Sequence, residues 1–155
     1  MANCFGPCIM DSSQPGAISI SVVIPNYNHS SLVRDAVKAF ANQTPAPAEI
    51  IVVDDKSTDD SLLELQRLSG EFPCLRVIAC QTRGGAVAAL NVGLRAAKGS
   101  HVCFGAADDA LLPGTFAALL AAIVAHPQAA FASCEALLVE VETGSLAFRP
   151  PVRPA

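Results

Sequence analysis

The chain has 155 residues, of which 52% are hydrophobic and 15% charged, and its net charge is −4. This much apolar material can bury the core of one domain, which argues against global disorder. The ten lysines and arginines form no basic block, so the sequence disfavours nucleic-acid binding.

Three features bear on where the protein resides. The longest apolar run, at residues 116–124, is far shorter than the about 18 residues that a membrane span needs. The first residues lack the charged start and apolar stretch of a signal peptide. The six cysteines show no zinc-ligand spacing, so we expect free thiols in a reducing compartment. These features predict a cytoplasmic protein, while peripheral membrane association and homo-oligomerisation stay open.

After an irregular leader at residues 1–17, the chain alternates between strand and helix patterns. Short β-branched runs predict strands, and apolar residues spaced three and four apart predict helices. The predicted strands are Ile18–Ile24, Glu49–Val53, Leu75–Cys80, His101–Phe104 and one or two segments within Ala130–Val141. The predicted helices are Ser30–Asn42, a helix carrying Leu62 to Leu68, a helix from Gly84–Gly85 through Ala97, and a helix from Pro113–Gly114 to Ala125.

This alternation predicts an α/β fold with a mostly parallel sheet and helices on both faces. The predicted domain covers residues 18–145, and an irregular tail follows at residues 146–155. Ser30 or Ser31 is expected to cap the first helix, and Thr58 or Asp59 the second.

Polar clusters follow three of the predicted strands. They are Pro25–Asn28, Asp54–Asp55 and Asp108–Asp109. Ligands of open α/β sheets bind beyond the carboxyl ends of the strands, so the three clusters predict one binding site.

The first two clusters offer groups for a nucleoside. Tyr27 is the only tyrosine, and it either stacks on a base or packs half-buried against the first helix. One carboxylate of Asp54 and Asp55 can accept the N3–H of a pyrimidine while the other orients the loop. Alternatively, both carboxylates only accept hydrogen bonds from backbone amides of the following turn.

The third cluster offers a cation site. Asp108 and Asp109 repel each other unless a cation is near, and carboxylates together with substrate phosphates are usual ligands of Mg²⁺ or Mn²⁺. The alternative is that the pair caps a helix near Leu111.

Gly84 and Gly85 open a predicted helix, and backbone amides at a helix start suit a phosphate or a ribose. Two glycines also mark any tight turn, so this signal is weak alone. Asn91 lies within the same helix and is a candidate to point into the site. The lone histidines receive no role.

Four ordered segments resemble family 2 glycosyltransferases. Residues 20–28 (ISVVIPNYN) resemble the family's opening strand, and residues 41–44 with 49–61 resemble its second block. Residues 83–99 resemble the third block, and residues 104–114 resemble the metal-binding block. The resemblance covers roughly residues 18–139, the donor-binding portion, so the chain is expected to be truncated on the C-terminal side.

The resemblance implies a Rossmann-like GT-A fold, a nucleotide-diphospho-sugar donor with a UDP-sugar favoured, a divalent metal (Mn²⁺ or Mg²⁺), and usually inversion at the anomeric centre. It implies that Pro25, Tyr27 and Asp55 line the nucleoside pocket with Asp54 in support. Asp108 would contact ribose or metal, and Asp109 would lie at or beside the metal.

Two departures from the family pattern limit these expectations. Ala106 stands where the family's D-x-D motif has a carboxylate. The family's general base lies on a later segment, and Glu135, Glu140 and Glu142 come too early to match it. Donor binding is therefore expected, whereas no residue is assigned as the base that an inverting transfer needs.

Two other functions compete with this assignment. Residues 51–56 (IVVDDK) also resemble the acidic pair of a receiver-type signalling domain, but no lysine follows Lys98 to complete that site. A non-catalytic nucleotide-sugar-binding module or fragment shares the fold and the donor site, so only activity separates it from the enzyme.

Overall fold

The computed structural model describes residues 18–134 and the two strands Ala136–Val139 and Leu146–Arg149. The predicted leader at residues 1–17 and the last residues of the predicted tail lie outside the described residues. The chain forms two compact units that divide between Pro113 and Gly114.

In the part that the structure describes, the first unit contains four strands and three helices in strict alternation. The strands are β1 (Ile20–Asn26), β2 (Glu49–Asp54), β3 (Leu75–Ala79) and β4 (His101–Phe104). The helices are α1 (Val33–Ala41), α2 (Ser61–Glu71) and α3 (Ala86–Ala96).

The four strands form one parallel sheet in the order β3-β2-β1-β4. This confirms the predicted α/β architecture. The side chains of Val22, Val23 and Ile24 in β1 have no exposed surface, as expected for a strand covered on both faces. Because all four strands run the same way, their carboxyl ends meet at one edge of the sheet.

Helices pack on both faces of this sheet. Helix α3 lies against β1 and β2 so closely that a side chain at Gly93 would overlap Val23. On the other face, Phe40 of α1 packs near Ile24 and Gly105 and is buried. Successive residues of β1 therefore serve opposite faces.

Strands β1 and β2 extend past their predicted ends at Ile24 and Val53. β1 continues through Pro25 to Asn26, which pairs in register with Asp54 of β2. The N–H of Asp55 then donates to the carbonyl oxygen of Asn26 at 2.8 Å. Asn26 and Asp54 thus belong to the sheet itself, which fixes the positions of the loops that follow.

The predicted start and caps of α1 are wrong. The helix begins at Val33, its N-cap residue is Leu32, and no side chain caps it. The N–H of Ser30 donates instead to Asp59 Oδ2 at 3.0 Å. This bond to the β2–α2 loop holds the preceding segment outside the helix.

Of the two residues predicted to cap α2, Asp59 binds the start of the helix through its side chain and Thr58 does not. The N-cap residue is Asp60, and its side chain makes no capping hydrogen bond. Asp59 Oδ1 accepts the N–H of Ser61 at 3.0 Å, while the N–H of Thr58 donates to Asn28 Oδ1 at 2.8 Å. The hydrogen bond between Thr58 and Asn28 therefore joins the β1–α1 and β2–α2 loops.

The second unit contains α4 (Thr115–Ala125), β5 (Ala136–Val139) and β6 (Leu146–Arg149). Helix α4 matches its prediction, and Gly114 with φ 84° precedes it. β5 and β6 pair antiparallel. β6 lies within residues 146–155, which the sequence predicts to be an irregular tail because the segment is rich in proline and alanine and has no core pattern, so that prediction is wrong for residues 146–149.

None of the helices within the described residues is long and apolar enough to cross a membrane.

Candidate functional site

A cleft of about 320 Å³ lies at the carboxyl ends of the first unit's strands. It brings together the segment after β1, the residue after β2, the β3–α3 loop and the segment after β4. The lining residues are Pro25, Asn26, Tyr27, His29, Asp55, Arg83, Gly85, Ala86, Ala106, Ala107 and Asp108. Polar clusters from three strand ends thus contribute to one site, as a parallel sheet requires.

Asp54 supports this site from outside the lining. Its Oδ1 accepts hydrogen bonds from Asn26 Nδ2 at 2.8 Å and Ser57 Oγ at 2.6 Å. Its Oδ2 accepts the N–H of Ser57 at 2.9 Å. Both oxygens of this buried carboxylate hold the loop after β2, so Asp54 positions backbone rather than facing the cleft.

Asp55 anchors a distant loop. Its two carboxylate oxygens each accept a backbone N–H at 2.7 Å, from Gly84 and from Gly85. Gly85 has φ 84°, a conformation that glycine adopts without steric cost. The prediction that these two amides bind a phosphate or a ribose needs correction, because both already donate hydrogen bonds to Asp55.

The cleft wall includes a cation over an aromatic ring. The guanidinium carbon of Arg83 lies 3.9 Å from the centroid of the Tyr27 ring. Tyr27 is half-buried and Arg83 is exposed. Arg83 is not among the site residues predicted from the sequence, although its position directly before Gly84 is a usable signal.

The acidic pair after β4 is exposed. Asp108 lines the cleft, whereas Asp109 does not. The alternative that this pair caps a helix near Leu111 is wrong, since the next helix begins only at Thr115. Within the described residues no three His, Cys, Asp or Glu side chains cluster as a set of metal ligands.

Two residues differ from their sequence-based assignments. Asn91 lies exposed on α3 and is not among the cleft-lining residues. His29, which was given no role, lines the cleft. Its N–H donates to Ser61 Oγ at 3.1 Å, so the backbone at His29 is fixed by the start of α2.

Two titrating groups near the strand ends are perturbed. Burial raises the pKa of the Cys80 thiol, and the negative charges of Asp55 and Asp54 raise it further. Burial alone would raise the pKa of Asp59, but hydrogen bonds from Ser61 and Ser30 outweigh it and lower that pKa to about 2. Cys80 therefore stays a neutral thiol, and Asp59 stays ionised.

The family model described as glycosyl transferase family 2 matches residues 21–141. An uncharacterized glycosyltransferase of Haemophilus influenzae is 30% identical over 135 residues, which are 87% of this chain and 45% of that protein.

Two solved structures are similar to the chain. Residues 1–349 of TarS from S. aureus, in complex with UDP-GlcNAc, align with a TM-score of 0.64 and 28% identity over 79% of this chain and 34% of TarS 1–349. The mannosyltransferase PcManGT from Pyrobaculum calidifontis, in complex with GDP-Man and Mn²⁺, aligns with a TM-score of 0.56 and 30% identity. The alignment covers 60% of this chain and 28% of that chain. The chain thus spans less than half the length of each of these three proteins.

Proposed function

We propose that this chain, which belongs to glycosyl transferase family 2, binds a nucleotide-diphospho-sugar in its cleft as the donor of a sugar transferred to an acceptor hydroxyl, with inversion. One observation carries the proposal. Tyr27, the Asp55-anchored glycine loop and Asp108 come from separate segments and line one cleft at the carboxyl edge of the sheet.

The nucleoside end of the donor is proposed to lie beside Tyr27 and Pro25. An aromatic ring at the end of β1 offers a face on which a base can stack. Asp55 keeps the opposite wall in place through Gly84 and Gly85. A base N–H can still bind Asp55, since each carboxylate oxygen accepts more than one hydrogen bond.

The diphosphate end is proposed to lie beside Asp108 and Asp109. Magnesium and manganese ions are commonly held by one or two carboxylates together with substrate phosphates. An exposed acidic pair next to the cleft fits that requirement even though Ala106 supplies no ligand. A bound ion would neutralise the charge of the diphosphate leaving group.

UDP-sugars are the proposed donor class. TarS, a structure similar to this chain, is in complex with UDP-GlcNAc, while PcManGT is in complex with GDP-Man. The proposed acceptor class is a cell-envelope polysaccharide, and the proposed location is cytoplasmic. The family match does not favour the receiver-domain alternative.

Calorimetric titration tests the donor site. UDP, GDP and CDP are titrated into the wild-type chain with and without Mn²⁺, and into the variants Asp55→Asn, Asp108→Asn and Asp109→Asn. We expect UDP affinity to fall about tenfold or more for Asp55→Asn because a charge-assisted anchor is lost. For the Asp108 and Asp109 variants we expect the Mn²⁺-dependent part of the affinity to disappear.

Asp60→Asn is the matched control, since Asp60 is exposed and caps no helix through its side chain. A folded wild-type chain that binds none of the nucleotides contradicts the proposal. Binding without hydrolysis or transfer of a UDP-sugar supports instead the non-catalytic donor-binding module, which the absence of a carboxylate at Ala106 favours.

A further inference from the structure

Arg83 covers a surface that the proposed donor site uses. Its guanidinium carbon is 3.9 Å from the centre of the Tyr27 ring, and both residues line the cleft. A cation at this distance over a ring is attracted to the electron-rich face. A base cannot stack on that face of Tyr27 while Arg83 occupies it.

The backbone of this loop is anchored, whereas the arginine side chain is free to leave. Gly84 and Gly85, which directly follow Arg83, are held by Asp55 at 2.7 Å each. Arg83 itself is exposed. Its guanidinium makes no hydrogen bond or ion pair with any residue that the structure describes. Rotation of the side chain away from Tyr27 therefore breaks only the ring contact.

Among the described residues that line the cleft, Arg83 is also the only lysine or arginine. The other charged side chains there are the carboxylates of Asp55 and Asp108. Arg83 therefore supplies the permanent positive charge that an anionic diphosphate would meet in the cleft. Guanidinium groups bind phosphate oxygens through paired, charge-assisted hydrogen bonds.

We propose that Arg83 and the nucleobase compete for one face of Tyr27, and that Arg83 thereby selects nucleoside diphosphates over uncharged nucleosides. The inference rests on the proposed donor site. A nucleoside displaces the guanidinium and offers it only neutral acceptor oxygens, with no charge to pair with. A nucleoside diphosphate displaces it as well but supplies phosphate oxygens that accept it.

The test compares uridine with UDP in the wild-type chain and in Arg83→Ala, without divalent metal. Tyr27 is the only tyrosine and the chain has no tryptophan, so intrinsic fluorescence follows this ring alone. Removing the competing contact should tighten uridine binding about two- to fivefold. Removing the charge should weaken UDP binding about tenfold, so the preference for UDP over uridine should fall about twenty- to fiftyfold.

Arg95→Ala is the matched control, because Arg95 is exposed on α3 and does not line the cleft. It should leave both affinities unchanged. Arg83→Gln, with the fold of each variant checked by circular dichroism, repeats the test without a large loss of side-chain volume.

The possible outcomes separate the two proposals. If a folded Arg83→Ala chain still binds UDP but binds uridine equally or more weakly than the wild type does, the competition is overturned and the donor site stands. If the folded wild-type chain binds neither ligand, both proposals are overturned.

Discussion

At the scale of single residues, the adjacent carboxylates of Asp54 and Asp55 bind different partners and hold different loops in place. Asp54 binds Ser57 and Asn26 beside it in the sheet. Asp55 reaches across to Gly84 and Gly85. Successive side chains at a strand end point in opposite directions, so two identical residues meet different partners. The prediction that one carboxylate orients the following loop describes Asp54, whereas binding of a base by Asp55 stays a prediction.

Asp59 links two loops and should make stability depend on pH. Its folded-state pKa is about 2, against an ordinary value of 3.8. The unfolded chain therefore takes up this proton first as the pH falls. The stabilisation is present above about pH 4 and is lost as the pH falls toward about 2.

We expect Asp59→Asn to lower the free energy of unfolding at neutral pH by less than about 1 kcal/mol, because the group is solvent-exposed. The difference from the wild type should shrink between about pH 4 and 2. Urea unfolding at a series of pH values, monitored by circular dichroism, measures this difference in the free energy of unfolding. Asp60→Asn is the control, and a difference for Asp59→Asn that stays constant down to pH about 2 would contradict the assignment.

At the scale of elements, the contact between α3 and the sheet sets the position of the β3–α3 loop. Gly93 lets the helix approach β1 and β2, because a Cβ there would overlap Val23 and lie 3.3 Å from Val53. The glycine loop that binds Asp55 begins this helix. Close packing of α3 therefore contributes to the geometry of the cleft.

Gly93→Ala should destabilise the protein by about 1–3 kcal/mol, since overpacking outweighs the better helix propensity of alanine. Gly70→Ala is the matched control, because it lies in α2 and a Cβ there meets nothing within 4 Å. We expect that change to stabilise by up to about 1 kcal/mol. Thermal unfolding of both variants checks the opposite signs, and equal shifts in Tm would refute the close contact.

At the scale of the whole molecule, the predicted α/β, GT-A-type fold is confirmed by the parallel sheet and by the similarity to TarS. β4 pairs with β1 and ends the described four-stranded sheet. Its Phe104 is 55% exposed. An edge strand with an exposed apolar side chain favours association with another chain.

We therefore expect the chain to self-associate as its concentration rises, and Phe104→Lys to reduce that association by placing a charge on the edge strand. Sedimentation velocity at several protein concentrations measures the degree of self-association. Leu63→Lys on α2 is the matched control, since Leu63 is 48% exposed and belongs to a helix rather than to the edge strand. If both substitutions have the same effect, the β4 edge is not the surface involved.

The sequence by itself determined the order of strands and helices from β1 to α4, the parallel sheet, the clusters at the strand ends and the family. These properties follow from local periodicity and from chain direction, which place the carboxyl ends of all parallel strands at one edge. Only the tertiary structure decided that Asp55 binds Gly84 and Gly85, that Arg83 covers Tyr27, and that Asn91 lies outside the cleft lining. The contacts of Asp55 and Arg83 join residues about 30 or more positions apart. They depend on helix packing and on side-chain direction, which residue spacing along the chain does not encode.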